Sequence, residues 1–171
     1  MATLKELRDE RLRKLDDLKA LGVNAYPAQA HRTHVIADVT AKFDELENQT
    51  VTVTGRIIAT RKFGKLAFLV LRDMSGQVQL FLKADTVAAL DAGKSQIGMS
   101  ELNLLDPGDF VQATGPVIRT KTGEVSVDVR ELRLLTKSLR PLPESFTNKE
   151  ERFRRRYVDM NVNIDVRERF L

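Results

Sequence analysis

The sequence predicts a mainly β fold with helices, in which one amphipathic helix precedes the strands. The first observation is a change of hydrophobic period. Leucines recur every three residues over 3–22, with a slip between Leu7 and Leu12, whereas apolar and polar residues alternate from residue 50 onward. The second observation is that glycine-containing turns at 74–76 and 121–124 separate the alternating runs. A chain of 171 residues suits one such domain with appendages.

The N-terminal helix is predicted over residues 3–22. Thr3 and Glu6 have the spacing of a capping box, in which a hydroxyl and a carboxylate satisfy free amides of the first turn. Gly22 is a natural residue to end the helix. Two roles stay open: a solvated helix packed on the domain by its leucines, or direct contact of its basic residues with RNA. The leucines that fall near one stripe are Leu4, Leu7, Leu12, Leu15, Leu18 and Leu21.

Five strands and a helix are predicted after a connector that has a short helix around 39–47. Their order is three strands, a helix and two strands, which is the order of the five-stranded Greek-key barrel called the OB-fold. Gly55 in the first strand suggests a bulge or a sharp coil. A barrel this small fills its interior with side chains, so a ligand must bind on its outer face and loops. The strands cover 50–62, 66–73, 77–83, 109–120 and 125–135, and the helix covers 85–93.

The composition excludes several classes of site and location. The chain has no cysteine, which excludes disulfides and zinc–thiolate sites. No run approaches the roughly 20 apolar residues of a membrane helix, and the charged N-terminus lacks the apolar stretch of a signal peptide. We therefore expect a cytoplasmic protein without a membrane partner. A net charge of +4 permits a polyanionic partner without requiring one.

No residues point to catalysis or to a metal. His31 and His34 lie three residues apart, but no cysteine or acidic cluster stands beside them, which favours ordinary loop histidines over a metal site. The sequence has no P-loop, no glycine-rich dinucleotide turn and no evident Ser/His/Asp set. We expect neither catalytic residues nor a bound metal or cofactor in these residues.

The outward side of the strands over 61–82 is unusual for a solvated sheet. It carries Phe68, Gln79 and Phe81, while alternate residues such as Leu69 face inward. Strands one to three of an OB barrel present the face that binds single-stranded nucleic acid. Bases stack there on aromatic rings, cations hold phosphates, and amides can read base edges. The alternative is that Phe68 packs under a neighbouring loop and the cations upstream, Arg61, Lys62 and Lys65, are merely solvated.

Several stretches resemble the N-terminal region of bacterial lysyl-tRNA synthetase, a class II aminoacyl-tRNA synthetase. The resemblance is strongest over 55–82, 119–143 and 152–159. The barrel alone would also suit the aspartyl and asparaginyl relatives. The run ELRLLTKSLRPLP, followed by the arginine-rich RYVD, favours the lysine enzyme. A free-standing OB module that binds single strands remains the alternative outside this family.

The resemblance implies that the barrel binds the anticodon loop of tRNA(Lys). Phe68 then corresponds to the ring that stacks on the central anticodon uridine, and Gln79 and Arg61 to the side chains that read the same base. Glu124, in the turn between the last two strands, corresponds to the residue that meets the wobble position. The cations expected to contact RNA phosphates are Lys62, Lys65 and Lys121.

The resemblance also implies a division of the chain and an activity that these residues do not perform alone. Residues 1–48 form the N-terminal helix and connector, 49–139 the anticodon-binding OB-fold domain, and 140–171 a linker and the truncated start of a catalytic domain. The intact enzyme activates lysine with ATP and Mg²⁺ and transfers it to tRNA. It is expected to be a homodimer through its catalytic domain, whereas this segment should be inactive.

Overall fold

The chain forms six strands and six α-helices within the residues that the computed structural model describes, 1–143 and 146–170. Two 3₁₀ helices, Ala92–Lys94 and Met99–Leu104, lie between the third and fourth strands. The strands are β1 (Thr50–Phe63), β2 (Leu66–Arg72), β3 (Gln77–Lys83), β4 (Phe110–Arg119), β5 (Val125–Asp128) and β6 (Glu131–Thr136). The helices are α1 (Leu4–Ala20), α2 (Ile36–Ala41), α3 (Phe43–Leu46), α4 (Lys149–Arg154), α5 (Arg156–Val162) and α6 (Ile164–Phe170).

The strands close into the predicted OB-fold barrel. Their order is β1-β2-β3-β5-β4, and a further pairing of β1 with β4 closes the ring. The β3–β5 pair is parallel and the other neighbours are antiparallel. The fifth predicted strand is interrupted at 129–130, so that β5 reaches β3 while β6 continues along β4. The mainly β fold with helices is therefore confirmed.

The prediction of a helix over 85–93 is wrong. The segment forms turns and then the 3₁₀ helix Ala92–Lys94. Its backbone bonds to the barrel instead of to itself: the amide of Ala88 donates to the carbonyl of Arg130 at 2.7 Å. A few residues later, the amide of Ile97 donates to the carbonyl of Leu132 at 2.7 Å. Pairing with the barrel edge outweighs the weak helical preference of this short run.

Alternating residues of the barrel strands fill its interior, as the period of two requires. Leu69, Leu71, Leu80 and Leu82 are all at most 1% exposed. The neighbouring positions on β2 and β3 face outward and are half-buried or exposed. This alternation fixes which side chains the outer face presents.

The first strand changes partners part-way along. Residues up to Arg56 pair with β4, and residues from Arg56 onward pair with β2. A bulge lies between Ile57 and Ala59, not at Gly55 as predicted. Gly55 has another role, because a Cβ atom there would lie 2.6 Å from the carbonyl oxygen of Arg72. The close approach of β1 to β2 therefore requires glycine at this position.

Helix α1 has the predicted caps but a shorter apolar face. The amide of Thr3 donates to Glu6 at 2.7 Å and the amide of Glu6 donates to the Thr3 hydroxyl at 3.2 Å. Gly22 has a φ of +80°, as expected for the residue that follows a helix C-terminus. Of the six leucines of the predicted stripe, only two are buried, whereas Leu4, Leu7 and Leu21 are exposed. The helix contacts the domain through its second half.

The second half of α1 is fastened by buried polar groups. Arg11 is 8% exposed and donates to the carbonyl of Pro107 at 3.0 Å and to that of Ser138 at 3.3 Å. Lys14 forms an ion pair with Asp106 at 2.6 Å. These contacts support the packing role of α1, since two of its basic side chains are used within the fold.

A buried ionic cluster joins α1 to the barrel. The ammonium group of Lys137, which is fully buried, lies 2.6 Å from Asp106 and 2.8 Å from Asp109. Burial would raise the pKa of Asp106, but hydrogen bonds and charges from Lys137 and Lys14 outweigh it and hold the pKa below its ordinary value. Asp106 is therefore more stable as a carboxylate in the folded chain than in the unfolded chain.

We predict that Asp106→Asn removes a stabilisation that depends on pH. A pKa that is lower in the folded state stabilises the fold above the unfolded-state value of about 3.9, and the effect is lost as the pH falls through the folded-state value. The difference in unfolding free energy between the parent chain and Asp106→Asn should be large at pH 7 and shrink below about pH 4. Urea unfolding at several pH values measures it.

Asp16→Asn is the matched control, because Asp16 is exposed on the same helix that Lys14 occupies. It should change the unfolding free energy by less than about 0.5 kcal/mol. A difference for Asp106→Asn that stays constant from pH 7 to pH 3 would contradict the assignment of the pKa shift to this carboxylate.

Candidate nucleic-acid interface

A row of aromatic rings lies on the outer face of β1–β3. Phe68 and Phe81 are directly opposite in the β2–β3 ladder, and their rings stack with centroids 4.9 Å apart at 18°. Phe63, at the end of β1, meets Phe68 edge-on at 6.5 Å and is 61% exposed. Strand alternation places the rings on this face, and cross-strand pairing brings them together. The row offers an apolar surface on which flat groups can stack.

Lys83 extends this row at its far side. Its ammonium group lies 5.5 Å from the centre of the Phe81 ring and 3.4 Å from the carboxylate of Asp128. Arg130 binds the same carboxylate at 3.1 Å. Asp128 thereby holds a cation beside the aromatic row.

Gln79 occupies the next outward position along β3. It lies opposite Ser126 of β5, whose hydroxyl donates to the side-chain oxygen of Gln79 at 2.8 Å. That bond fixes the orientation of the amide and leaves its NH₂ group as the part that can donate. An oriented amide on an aromatic face is suited to reading the edge of a base.

Cations surround the tip of the β1–β2 hairpin. Arg61 is directly opposite Phe68 in the ladder and is exposed. Lys62 and Lys65 flank the turn at Gly64, which has a φ of +57°, and both are exposed. This tip is therefore a positively charged, solvent-accessible edge beside the aromatic row.

Glu124 and Lys121 lie at the other end of the face, in the turn between β4 and β5. The Thr120 hydroxyl accepts from the amide of Glu124 at 3.2 Å, and Gly123 has a φ of +89°. Both side chains are exposed. Because β5 runs parallel to β3, this turn lies beyond Gln79 and away from Phe81.

The turn between β2 and β3 is fixed by a carboxylate. Asp73 accepts from the amides of Ser75 and Gly76 at 2.7 and 3.0 Å, and from the amide of Ile36 at 3.0 Å. Burial would raise the pKa of Asp73, but these bonds and one from the Ser75 hydroxyl hold the pKa below its ordinary value. The turn that sets the register of β2 and β3 is thus anchored to α2.

The two histidines do not form a metal site with other residues of the described ranges. No group of three or more His, Asp or Glu side chains within 1–143 and 146–170 has the arrangement of a metal site. His34 instead bonds its ring nitrogen to the Thr33 hydroxyl at 2.7 Å. In the same ranges, each helix is too short or too polar to cross a bilayer.

The matching family model covers most of the barrel. Residues 51–135 match the model described as an OB-fold nucleic acid binding domain. Residues 51–135 belong to this family. The outer face of the OB-fold domain is therefore its candidate nucleic-acid interface.

Curated relatives extend the comparison beyond the OB-fold domain. The chain is 40% identical to a lysine–tRNA ligase of Clostridium acetobutylicum over 174 aligned positions, covering 99% of this chain and 32% of that protein. It is 39% identical to the ligase of Clostridium novyi, covering 99% and 33%, and 38% identical to that of Carboxydothermus hydrogenoformans, covering 98% and 34%. The chain spans about a third of the length of these relatives.

The OB-fold domain brings the predicted base-contacting residues onto one face but spreads them along it. Arg61 and Phe68 are opposite each other, Gln79 lies further along, and Glu124 lies at the far turn. Their roles toward individual bases stay a prediction. Phe68 is half-buried and contacts the rings of Phe63 and Phe81.

Sequence reasoning missed two parts of this interface. Phe63 is the exposed ring at the hairpin tip, and its signal is an aromatic residue between the cations of RKFGK. Ser126 orients Gln79, but no local pattern identifies it, because the contact depends on the parallel pairing of β3 with β5.

We predict that Phe68→Ala and Leu69→Ala differ in their effect on stability. Leu69 is 1% exposed, so Leu69→Ala should cost about 2–5 kcal/mol of unfolding free energy. Phe68→Ala mainly removes the stacked pair with Phe81 on the outer face, which is worth about 0.5–1.5 kcal/mol. Urea unfolding of the two variants compares them. If Phe68→Ala were the more destabilising variant, the inward and outward assignment of β2 would be wrong.

Proposed function

We propose that residues 49–139 are the anticodon-binding domain of a lysine–tRNA ligase. The observation that carries the proposal is the outer face of β1–β3, where a stacked aromatic pair, an oriented amide and a cationic hairpin tip lie together. These are the three elements with which proteins bind single-stranded RNA: stacking surfaces, edge readers and phosphate contacts. The similarity to lysine–tRNA ligases supports tRNA(Lys) as the RNA.

Each outward residue has a proposed role in the anticodon loop. The aromatic row at Phe68 stacks on the central base, and Gln79 reads that base with the NH₂ group that Ser126 leaves free. Arg61, opposite Phe68, reads the same base or holds its phosphate. Glu124 meets the wobble base at the β4–β5 turn. Phosphates are contacted by Lys62, Lys65 and Lys121.

The activity of the whole protein is part of this proposal. The intact ligase activates lysine with ATP, assisted by Mg²⁺, and transfers it to tRNA(Lys) in the cytoplasm. It belongs to class II and dimerises through its catalytic domain. Residues 1–48 are the N-terminal helix and connector, and 140–171 are the linker and the start of the catalytic domain. The linker includes residues 144 and 145, which lie outside the described residues. The 171-residue chain alone should bind RNA without charging it.

We predict that Gln79→Ala weakens discrimination at the central anticodon base. The comparison is the affinity for a stem-loop with a UUU anticodon against one altered at the middle base. Loss of one hydrogen bond of about 0.5–1.5 kcal/mol should reduce the preference for UUU by roughly two- to twelvefold. The substitution also removes the acceptor of the buried Ser126 hydroxyl, which costs about 1–3 kcal/mol of unfolding free energy, so the preference is compared per folded molecule.

Gln77→Ala is the matched control, since Gln77 lies two residues away on the same face of β3 and is exposed. It should leave the preference intact. The proposed function would be rejected if the unsubstituted chain bound both stem-loops equally, because an anticodon-binding domain must distinguish them.

We predict that binding to the UUU stem-loop depends steeply on salt. Each phosphate contact on a single strand contributes about −0.7 to the slope of log affinity against log salt. Lys62→Gln combined with Lys65→Gln should flatten the slope by about 1.4, whereas Lys5→Gln on the exposed side of α1 should not change it. An unchanged slope in the double variant would show that these lysines do not contact phosphates.

A further inference from the structure

Two arginines face each other across the β1–β2 ladder, at the end opposite the hairpin tip. Arg56 and Arg72 are direct cross-strand partners, and like charges in this position destabilise a sheet. Arg72 has the same parity along β2 as Phe68, so both side chains lie on the outer face. Arg72 lies four positions after Phe68, which is about 13 Å along the strand.

The C-terminal helices bring a third arginine to this pair. Arg72 donates to the backbone carbonyl of Asn161 at 2.9 Å, and Arg56 donates to the side-chain oxygen of Asn161 at 2.9 Å. Arg56 also lies 4.7 Å above the ring of Phe110. Burial, followed by the charges of Arg167 and Arg56, lowers the pKa of Arg72. All three arginines line one cavity, which brings their like charges together.

No carboxylate within residues 1–143 and 146–170 forms an ion pair with this cluster. None of the ion pairs there involves Arg56, Arg72 or Arg167. Asp73 is nearby, but backbone amides and the Ser75 hydroxyl occupy its carboxylate. Glu168 also lines the adjacent cavity and is exposed.

Two guanidinium nitrogens of the cluster have no hydrogen-bond partner among the residues that the structure describes. They are the Nε atoms of Arg56 and Arg167, which are both buried, and a buried donor without a partner destabilises the fold. Open cavities of about 390 and 440 Å³ adjoin the cluster, and Arg72 and Arg167 line both. The site thus combines uncompensated positive charge, unused donors and space for a ligand.

We propose that Arg56, Arg72 and Arg167 bind a backbone phosphate of the RNA that lies across the outer face. The guanidinium group presents paired donors that match the oxygens of a phosphate. The position on the face that carries Phe68 favours the RNA backbone over a free phosphate compound. This inference rests on the proposed function, because it extends the RNA path along β1 and β2.

The principal test is the salt dependence of stem-loop binding by Arg72→Gln. Losing one phosphate contact should flatten the log–log slope by about 0.7–0.9. It should weaken binding to the UUU and the middle-base-altered stem-loops by the same factor, since a phosphate contact does not read sequence. Arg8→Gln, at an exposed position of α1, removes the same charge and should leave the slope unchanged. An unchanged slope in Arg72→Gln would overturn the proposal.

A second measurement tests the site without RNA. In chloride buffer, Arg72→Gln should melt at nearly the same temperature as the unsubstituted chain, because the relief of repulsion within the cluster offsets the lost bond to the Asn161 carbonyl. Inorganic phosphate at equal ionic strength should raise the melting temperature of the unsubstituted chain more than that of Arg72→Gln, since a bound ligand stabilises the fold. Strong destabilisation by Arg72→Gln without any phosphate effect would assign the arginines a purely structural role and overturn the proposal.

The outcomes separate the possible ligands and the two proposals. Phosphate stabilisation with an unchanged stem-loop slope would mean that the site takes a free phosphate compound, which overturns the RNA assignment. Stabilisation by poly-glutamate but not by phosphate would indicate an acidic protein segment and overturn it as well. Equal affinity for the two stem-loops would reject the anticodon function, while the slope difference would still report on the phosphate site.

Discussion

The buried ionic cluster around Lys137 is the constraint on which the outer face depends. Lys137 binds the carboxylates of Asp106 and Asp109, and Asp109 also accepts from the amide of Ser138 at 2.8 Å. The same loop clamps β1: the amide of Ile57 donates to the carbonyl of Asp109 at 2.8 Å, and the amide of Gly108 donates to the carbonyl of Ile57 at 2.7 Å. The cluster therefore fixes the strand at the residue before its bulge.

The bulge decides which side chains reach the interface. It inserts one residue into the β2-paired part of β1, between Ile57 and Ala59, and a shift of one residue reverses the face to which every later side chain points. With the bulge in place, Arg61 lies opposite Phe68 on the outer face. A buried ion pair adds little net stability compared with apolar packing, but losing one partner is costly. Its consequence here is geometric, because it helps to set the register of β1 on the outer face.

Contacts within the protein hold the aromatic row and the amide beside it. Phe68 stacks on Phe81, and Ser126 orients Gln79. Groups that are held in place lose less conformational entropy when a ligand binds. In the proposed function, the exposed lysines of the hairpin tip attract RNA phosphates through charge, which does not need a fixed geometry. The proposed interface thus combines groups held in place for the bases with exposed cations for the phosphates.

The sequence predicts what depends on local period and misses what depends on contacts distant in the chain. Alternation identified the inward Leu69 and the outward Phe68, and cap chemistry identified both ends of α1. The helix prediction over 85–93 was wrong because the backbone of this segment bonds to Arg130 and other distant backbone groups. Fully buried lysine is rare, so no pattern indicates that Lys137 is an interior residue. The roles proposed for individual bases came from the resemblance and not from periodicity.

The arginine-rich stretch 152–156 has a structural role that its sequence does not indicate. Asp159 is fully buried and binds Arg152 at 2.8 Å and Arg156 at 3.0 Å, which ties α4 to α5. These two arginines are neutralised within the helices and are not available to RNA. The ordering that they impose places Asn161 against Arg56 and Arg72. Arg152 and Arg156 are thus paired with a carboxylate, whereas Arg56 and Arg72 on the barrel form no ion pair with the described residues.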